Sequence, residues 1–265
     1  MKNLVYNLYR MLFARKIFYK FNRLLYGMSL RGLGILNYET DKMSGEEYFI
    51  ENYVSKINNG VVIDVGANVG TYAKLIRKQQ PSIEIFAFEP HPATYQKLVN
   101  NVALDRVKTY NAAVGAVQGI LKLYDYENDD GSEHASLYKE VIESIHQGKS
   151  VEHEVKIISL DEFSSENKIT RVGLLKIDTE GHELEVLKGF EAHLKAGQVA
   201  MIHFEFNEMN IVSRVCFKDF WSMLPNYNLF RMLPDGLVPI EKYNPLLCEI
   251  YAYQNVVAIL KPKFN

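Results

Sequence analysis

The chain has 265 residues, 48% of them hydrophobic and 23% charged, with 16 Gly and 8 Pro, which excludes a disordered, collagen-like or low-complexity protein. Thirty Lys and Arg against 32 Asp and Glu leave a net charge of -2, so no global field gathers polyanions and no nucleic-acid partner is expected. Cys216 and Cys248 are too few for a disulfide framework or a four-cysteine zinc site, and a cytoplasmic location fits best.

Residues 1–38 hold Lys2, Arg10, Arg15, Lys16, Lys20, Arg23 and Arg31 but no acid, making this arm +7 and the remainder -9. Its charges interrupt any run of the ~20 apolar residues that a membrane span needs. There is also no unbroken run of ~7 to 15 apolar residues ending in a cleavage site, so export is not supported. At helical spacing Leu4, Met11, Phe18 and Leu25 share one side and Lys16, Lys20 and Arg23 lie roughly opposite, with Tyr6, Tyr9, Tyr19 and Tyr26 interleaved. The plainer expectation is a helix whose apolar side covers the core or the mouth of a site. The alternatives are peripheral docking on an anionic inner membrane face, or on a partner protein.

Residues 39–265 read as one domain. The runs 61–65, 83–89, 172–178, 199–206 and 256–260 are rich in Val, Ile and Phe without strict alternation, as buried parallel strands are. Segments 72–80, 91–104 and 183–195 have helical composition and crossover length, and a further strand is expected around 107–110. A doubly wound α/β domain follows. Residues 119–160 break the rhythm: two alternating strands enclose a polar stretch and a helix through Glu143, an insertion suited to be a lid or acceptor-binding element.

The first strand runs into Asp64-Val-Gly66-Ala67-Asn68-Val-Gly70-Thr71. Gly66 and Gly70 permit a tight turn and close approach of a ligand, and their spacing differs from the GxGxxG of dinucleotide sites. An acid at the strand tip repels a pyrophosphate but suits a ligand bearing an ammonium and a sulfonium. S-adenosylmethionine carries both. Nineteen residues after Gly70, Glu89 ends the second strand, where a carboxylate can accept both hydroxyls of a ribose; Asn111, after the third strand, can meet an adenine edge.

The segment Leu175-Lys176-Ile-Asp178-Thr-Glu180-Gly181-His-Glu183, leading on to Leu187 and Gly189, resembles the signature of the FkbM-type methyltransferases. With the 64–70 loop, Phe88-Glu89-Pro90-His91-Pro92, Asn111-Ala-Ala-Val-Gly115 and the strand ending at Glu205, the likeness covers about residues 60 to 206, with a matching lead-in from Arg31. The resemblance implies a Class I, Rossmann-like methyltransferase fold, a seven-stranded mixed sheet flanked by helices. It implies methyl transfer to a hydroxyl, often of a sugar in a surface glycan or of a natural product. Carried over by position, Asp64, Gly66, Ala67, Asn68, Gly70, Glu89 and Asn111 match the cofactor half, and Asp178, Glu180 and Glu205 the acids of the reaction zone.

An alcohol attacking a methyl group must lose its proton, and Glu180 or Glu205 is the expected base, with Asp178 nearest the donor. His182 and His134 are weaker alternatives. Glu183 and Glu185 read as a solvated helix face. Lys176, inside an apolar strand, needs a carboxylate partner such as Asp178 or Glu205. Two carboxylates at adjacent strand ends could hold Mg²⁺ or Ca²⁺, but no third ligand is evident; His203 reads as a satisfied core histidine, and no metal is expected. The competing readings are a non-catalytic, membrane-associated module of a glycan assembly complex and an NAD-dependent oxidoreductase. The acceptor and the oligomeric state are not legible.

Overall fold

The computed structural model describes residues 2–103, 106–126, 135–145 and 147–262. Helices α1 (Lys2–Phe13) and α2 (Tyr19–Gly32) form the arm, and α3 (Asp41–Ser44) and α4 (Glu46–Asn52) lead into β1 (Val61–Val65). Then come α5 (Thr71–Gln79), β2 (Ile85–Phe88), α6 (Pro92–Asn101), β3 (Val107–Tyr110), β4 (Ala113–Val114), β5 (Gly119–Tyr126) and β6 (Ser150–Ile158). The chain continues through α7 (Leu160–Glu166), β7 (Val172–Ile177), α8 (Glu183–Lys188), α9 (Glu191–Ala196), β8 (Val199–Phe206), α10 (Met209–Val212) and α11 (Phe217–Met223). It closes with β9 (Tyr227–Leu233), β10 (Gly236–Pro239), α12 (Pro245–Cys248) and β11 (Gln254–Leu260).

The main sheet has the order β10-β9-β11-β8-β7-β1-β2-β3. Strands β3, β2, β1, β7 and β8 are parallel, and β11 runs antiparallel between β8 and β9. The expected α/β architecture is present with eight strands in place of seven. The extra strand, β10, joins β9 through the turn at Pro234 and Asp235 and has no buried residue.

Alternate residues of one strand feed opposite cores, which is why the central strands are apolar throughout. Ile63, Phe86, Phe88, Leu175, Phe204 and Phe206 pack on one face against α7, α8 and α11; Val62, Ile85, Ala87 and Leu174 pack on the other with Phe49, Ile50, Ile76 and Leu98. The second face carries a polar row, because register sets Asp64 beside Lys176 and Lys176 beside His203.

Two of the expected helices are corrected, and the two expected strands of the insertion pair with each other. The helix expected over 183–195 is two helices: an added Cβ at Gly189 would lie 2.0 Å from the carbonyl oxygen of Gly115, and this close approach interrupts the helix there. In the insertion, β5 and β6 pair antiparallel from Gly119 opposite Ile157 to Tyr126 opposite Ser150, and with β4 they make a separate three-stranded sheet. The helix through Glu143 is only a π turn over Val141–Ile145, and His134 lies outside the described residues.

The arm is a hairpin, not one helix, because Arg15 is extended (φ -127°, ψ 148°). The Tyr9 hydroxyl donates to Asn22 Oδ1 at 2.6 Å and Asn22 Nδ2 donates to the Phe13 carbonyl at 3.0 Å, while the Phe13 ring meets those of Tyr9, Phe18 and Phe21. Leu30 is the only buried residue in α1 and α2, so the helical part of the arm does not cover the core as expected. The residues that close on the body follow it: Ile35 bridges Gln254, the Leu36 N–H donates to the Tyr253 carbonyl at 2.8 Å, and the rings of Tyr38 and Tyr253 meet edge to face.

Candidate active site

A cavity of about 820 Å³ opens at the carboxyl ends of β1, β2, β7 and β8, where open α/β sheets bind ligands. It is lined by Asp64, Gly66, Ala67, Asn68, Glu89, Asp178, Glu180 and Glu205; Gly70, the N-cap of α5, is close by in the chain but does not line it.

The 64–70 loop is shaped by contact. An added Cβ at Gly66 (φ +77°) would fall 1.7 Å from the Asp178 carbonyl oxygen, so the loop lies against the end of β7 only because the residue is glycine. The N–H groups of Gly66 and Ala67 both donate to the Phe88 carbonyl, at 3.0 and 2.9 Å, which fastens the loop to β2. Asn68 is left-handed (φ 47°) and its N–H donates to Glu89 Oε2 at 3.0 Å; the His91 N–H donates to Glu89 Oε1 at 2.8 Å. Burial pushes the Glu89 carboxyl up to about 7 despite these bonds. Each carboxylate oxygen keeps a lone pair for a further donor. Asn111 is placed differently: its amide donates to the carbonyls of Glu89 and Pro90, both at 2.9 Å, and it does not line the cavity, whereas Ala112, Ala113 and Val114 do.

Asp64 is fully buried and neither carboxylate oxygen has a hydrogen-bond partner, an arrangement costly enough to call for a reason. Burial, opposed by Lys176 and reinforced by Asp178, pushes its carboxyl up to about 6. Beside it the Lys176 ammonium donates to Asp178 Oδ2 at 2.7 Å and lies 5.4 Å from the Tyr72 ring centroid. Burial alone would lower the pKa of Lys176, but Asp178, Glu205, Glu46 and Asp64 together hold it above the usual lysine value. Glu205 is pushed well above the usual carboxylate range by burial and then by Asp178. Lys176 thus pairs with Asp178 and faces Glu205, as the sequence suggested.

Glu46, on α4, was not foreseen. It lines the cavity, accepts from Ser44 Oγ at 3.3 Å, and is pushed up to about 7 chiefly by burial. Its segment shows the apolar pair Phe49 and Ile50 that would bury a helix, but nothing in the sequence says which acid turns inward. Four carboxylates, Glu46, Asp64, Asp178 and Glu205, therefore surround one ammonium. Like charges so crowded cannot all ionise unless a further cation enters.

Past β7, Glu180 (φ 51°) and Gly181 (φ 102°) turn the chain toward α8. The turn is held by Glu183, which was expected on a solvated face and is instead 1% exposed. Its Oε1 accepts from the Thr179 N–H, the Thr179 hydroxyl and the Gly181 N–H at 3.0 to 3.1 Å, and its Oε2 accepts from Asn210 at 3.2 Å. The Glu183→Ala variant should lose about 3 kcal/mol of stability in urea unfolding, since four donors lose a buried acceptor; a loss below about 0.5 kcal/mol, the scale of a surface substitution, would contradict this.

The insertion closes one side of the cavity through Leu123, Ala135 and Leu137. Ser136 Oγ donates to the Glu180 carbonyl at 2.9 Å, and the Tyr138 hydroxyl lies 3.2 Å from His182 Nδ1. Burial holds His182 down to about 4, so its ring is neutral. His203 is a core residue: its Nε2 is 3.0 Å from Asn255 Oδ1, an acceptor, which leaves Nδ1 to accept from the Tyr72 hydroxyl at 3.1 Å. Burial and Lys176 hold it down to about 3.

The profile of the family described as the methyltransferase FkbM domain matches residues 64–228, more than half of the chain. Among curated proteins, methyltransferase sdnD of Sordaria araneosa is 32% identical over 161 aligned positions, covering 51% of this chain and 61% of that protein. The hexuronic acid methyltransferase AglP of Haloferax volcanii is 32% identical over 137 positions, covering 51% of this chain and 52% of that protein. The 2-O-methyltransferase NoeI of Sinorhizobium fredii is 24% identical over 190 positions, covering 67% of this chain and 76% of that protein. The match thus spans little more than half the length of sdnD and AglP.

Proposed function

The chain belongs to the FkbM methyltransferase family, and from that premise we propose that it is an S-adenosylmethionine-dependent O-methyltransferase acting on a hydroxyl of a sugar in a surface glycan or of a natural product. The observation that carries the reading is the pair of partnerless oxygens on buried Asp64, at the floor of an anionic cavity that also holds Asn68 Oδ1 without a partner. A ligand that brings positive charge and hydrogen-bond donors relieves both. The names of AglP and NoeI, a hexuronic acid and a 2-O-methyltransferase, support a sugar hydroxyl as the acceptor.

The donor set fits the cofactor. Asp64 and Asp178 would hold its cationic methionyl part, Glu89 its ribose hydroxyls, and the small side chains Ala112 and Ala113 leave room beside the loop for its base. When bound, S-adenosylmethionine supplies an activated methyl group. The chain then has to align a hydroxyl, exclude water and take up a proton. Lys176 fixes the Asp178 carboxylate through the 2.7 Å contact. We assign the base to Glu205, which lines the cavity at the end of β8 and whose carboxyl burial and Asp178 push well above the usual carboxylate range, so that it holds a proton more tightly than an exposed acid does. Glu180, Leu123 and Leu137 form the wall on the insertion side and contact the acceptor.

A thermal-shift series tests the reading. S-adenosylmethionine or S-adenosylhomocysteine, at about 100 times its dissociation constant, should add about 2.7 kcal/mol to the stability, and NAD should add nothing. Stabilisation by NAD alone would favour an oxidoreductase, and no response to any of the three would favour a non-catalytic module.

A further inference from the structure

Of the exposed large apolar side chains among the described residues, fourteen lie between Leu4 and Leu33 and ten are spread over the rest of the chain. In the arm they form stripes. Along α1, Leu4, Leu8 and Met11 recur at helical spacing with Val5 and Leu12 beside them, all 48% to 73% exposed. Tyr9 and Phe13 point away from this stripe into the hairpin seam. Along α2, Phe21, Leu24 and Met28 repeat the pattern, and Ile17, between the helices, is 84% exposed. A contiguous apolar surface of this kind marks an interaction site.

Its charge selects the partner. Seven cations and no acid precede Glu39, whereas the rest of the chain is -9. The arm of a second copy would set seven cations against seven. The body of a second copy has the opposite charge but no apolar face to match: its exposed apolar side chains are singles such as Val99, Ile211 and Val238 and short groups around Ile120 and Leu246. An anionic lipid surface satisfies both demands, and Tyr6, Tyr19 and Tyr26, all exposed, suit the boundary between water and lipid. No helix of the described residues is long and apolar enough to cross a membrane.

We propose that the α1–α2 hairpin docks on an anionic lipid bilayer, with the Leu4, Leu8, Met11 and Phe21, Leu24, Met28 stripes entering the acyl boundary and the arm's cations meeting the headgroups. Leu36 and Tyr38, a few residues past α2, line the cavity, so docking holds its mouth close to the bilayer and favours an acceptor carried there. The vesicle binding itself needs no cofactor, so its failure leaves the methyltransferase reading untouched.

The test is sedimentation of the full chain with vesicles of phosphatidylcholine alone and of phosphatidylcholine mixed equally with phosphatidylglycerol. Partition onto the anionic vesicles should be at least about tenfold stronger and should fall about tenfold when the Debye length is shortened from ~10 Å to a few ångströms by salt. The triple variant Lys16→Glu, Lys20→Glu, Arg23→Glu should lose the preference for anionic lipid, and Leu4→Ser, Leu8→Ser, Met11→Ser should lose binding. None of these six side chains is buried, so thermal stability should be unchanged; if it is not, the salt dependence of the unaltered chain decides. Equal partition onto both vesicles, no partition at all, or variants that bind as the parent does would overturn the proposal. So would a concentration-dependent dimer in vesicle-free buffer that the serine variant abolishes, which would give the face to a second copy.

Discussion

The Asp64→Asn variant should bind S-adenosylmethionine about a hundredfold more weakly than the parent, a loss of about 2.7 kcal/mol, while its unliganded form is more stable at pH 8. Both halves follow from one carboxylate. In the folded protein Asp64 is pushed up from 3.8 to about 6, chiefly by burial. The native state therefore holds this proton more tightly than the unfolded chain, and as pH rises from about 4 through 6 that advantage is lost, at a cost on the order of 3 kcal/mol once the group is ionised. Asparagine removes the cost. Its melting temperature should exceed that of the parent by several degrees at pH 8, and the difference should shrink as pH falls through 6 and vanish only below about 4, where the carboxyl is protonated in the folded and the unfolded chain alike. Unchanged affinity in this variant would show that the cation lies elsewhere.

Glu205→Gln is the complementary case. Burial and the neighbouring Asp178 push the Glu205 carboxyl well above the usual carboxylate range, and glutamine is a neutral group of nearly the same shape. Stability and S-adenosylmethionine affinity should therefore be retained within about threefold, while turnover falls by about 10² to 10⁴, the usual worth of a positioned general base. The acceptor's KM should change little. Turnover close to that of the parent would move the base to Glu180 or Glu46; a parallel loss of affinity and rate would remove the division between binding and proton transfer.

The central strands could be read from the sequence because both of their faces are buried: 199–206 matches β8 at both ends, and 61–65 matches β1. The glycine loop and the acids at 64, 89, 178 and 205 were equally visible, since each stands at or within a residue or two of the end of an apolar run. What could not be read depends on register and on backbone donors. That Asp64 lies beside Lys176 and Lys176 beside His203 is set by the alignment of three strands distant in sequence. Glu183 looks like any first-turn helix acid until the N–H groups of Thr179 and Gly181 converge on it. The arm misled because the spacing from Leu4 to Leu25 fits one continuous helix, and the break at Arg15 falls where neither Gly nor Pro marks it. Asn111 was selected for its amide, yet that amide serves the turn after β2.

The crowding of Glu46, Asp64, Asp178 and Glu205 around Lys176 means that an entering cation expels protons. Titration calorimetry with S-adenosylmethionine at pH 6.5, in buffers of differing ionisation enthalpy, measures this directly. Glu46 and Glu89 lie near 7 and Asp64 near 6 in the free protein, so each is partly protonated at that pH. Binding should release close to one proton or more per site, and affinity should weaken by up to about tenfold per unit as pH falls below 6. Binding without proton exchange, or with net uptake, would contradict the account of a buried anionic floor that receives the cofactor's positive charge.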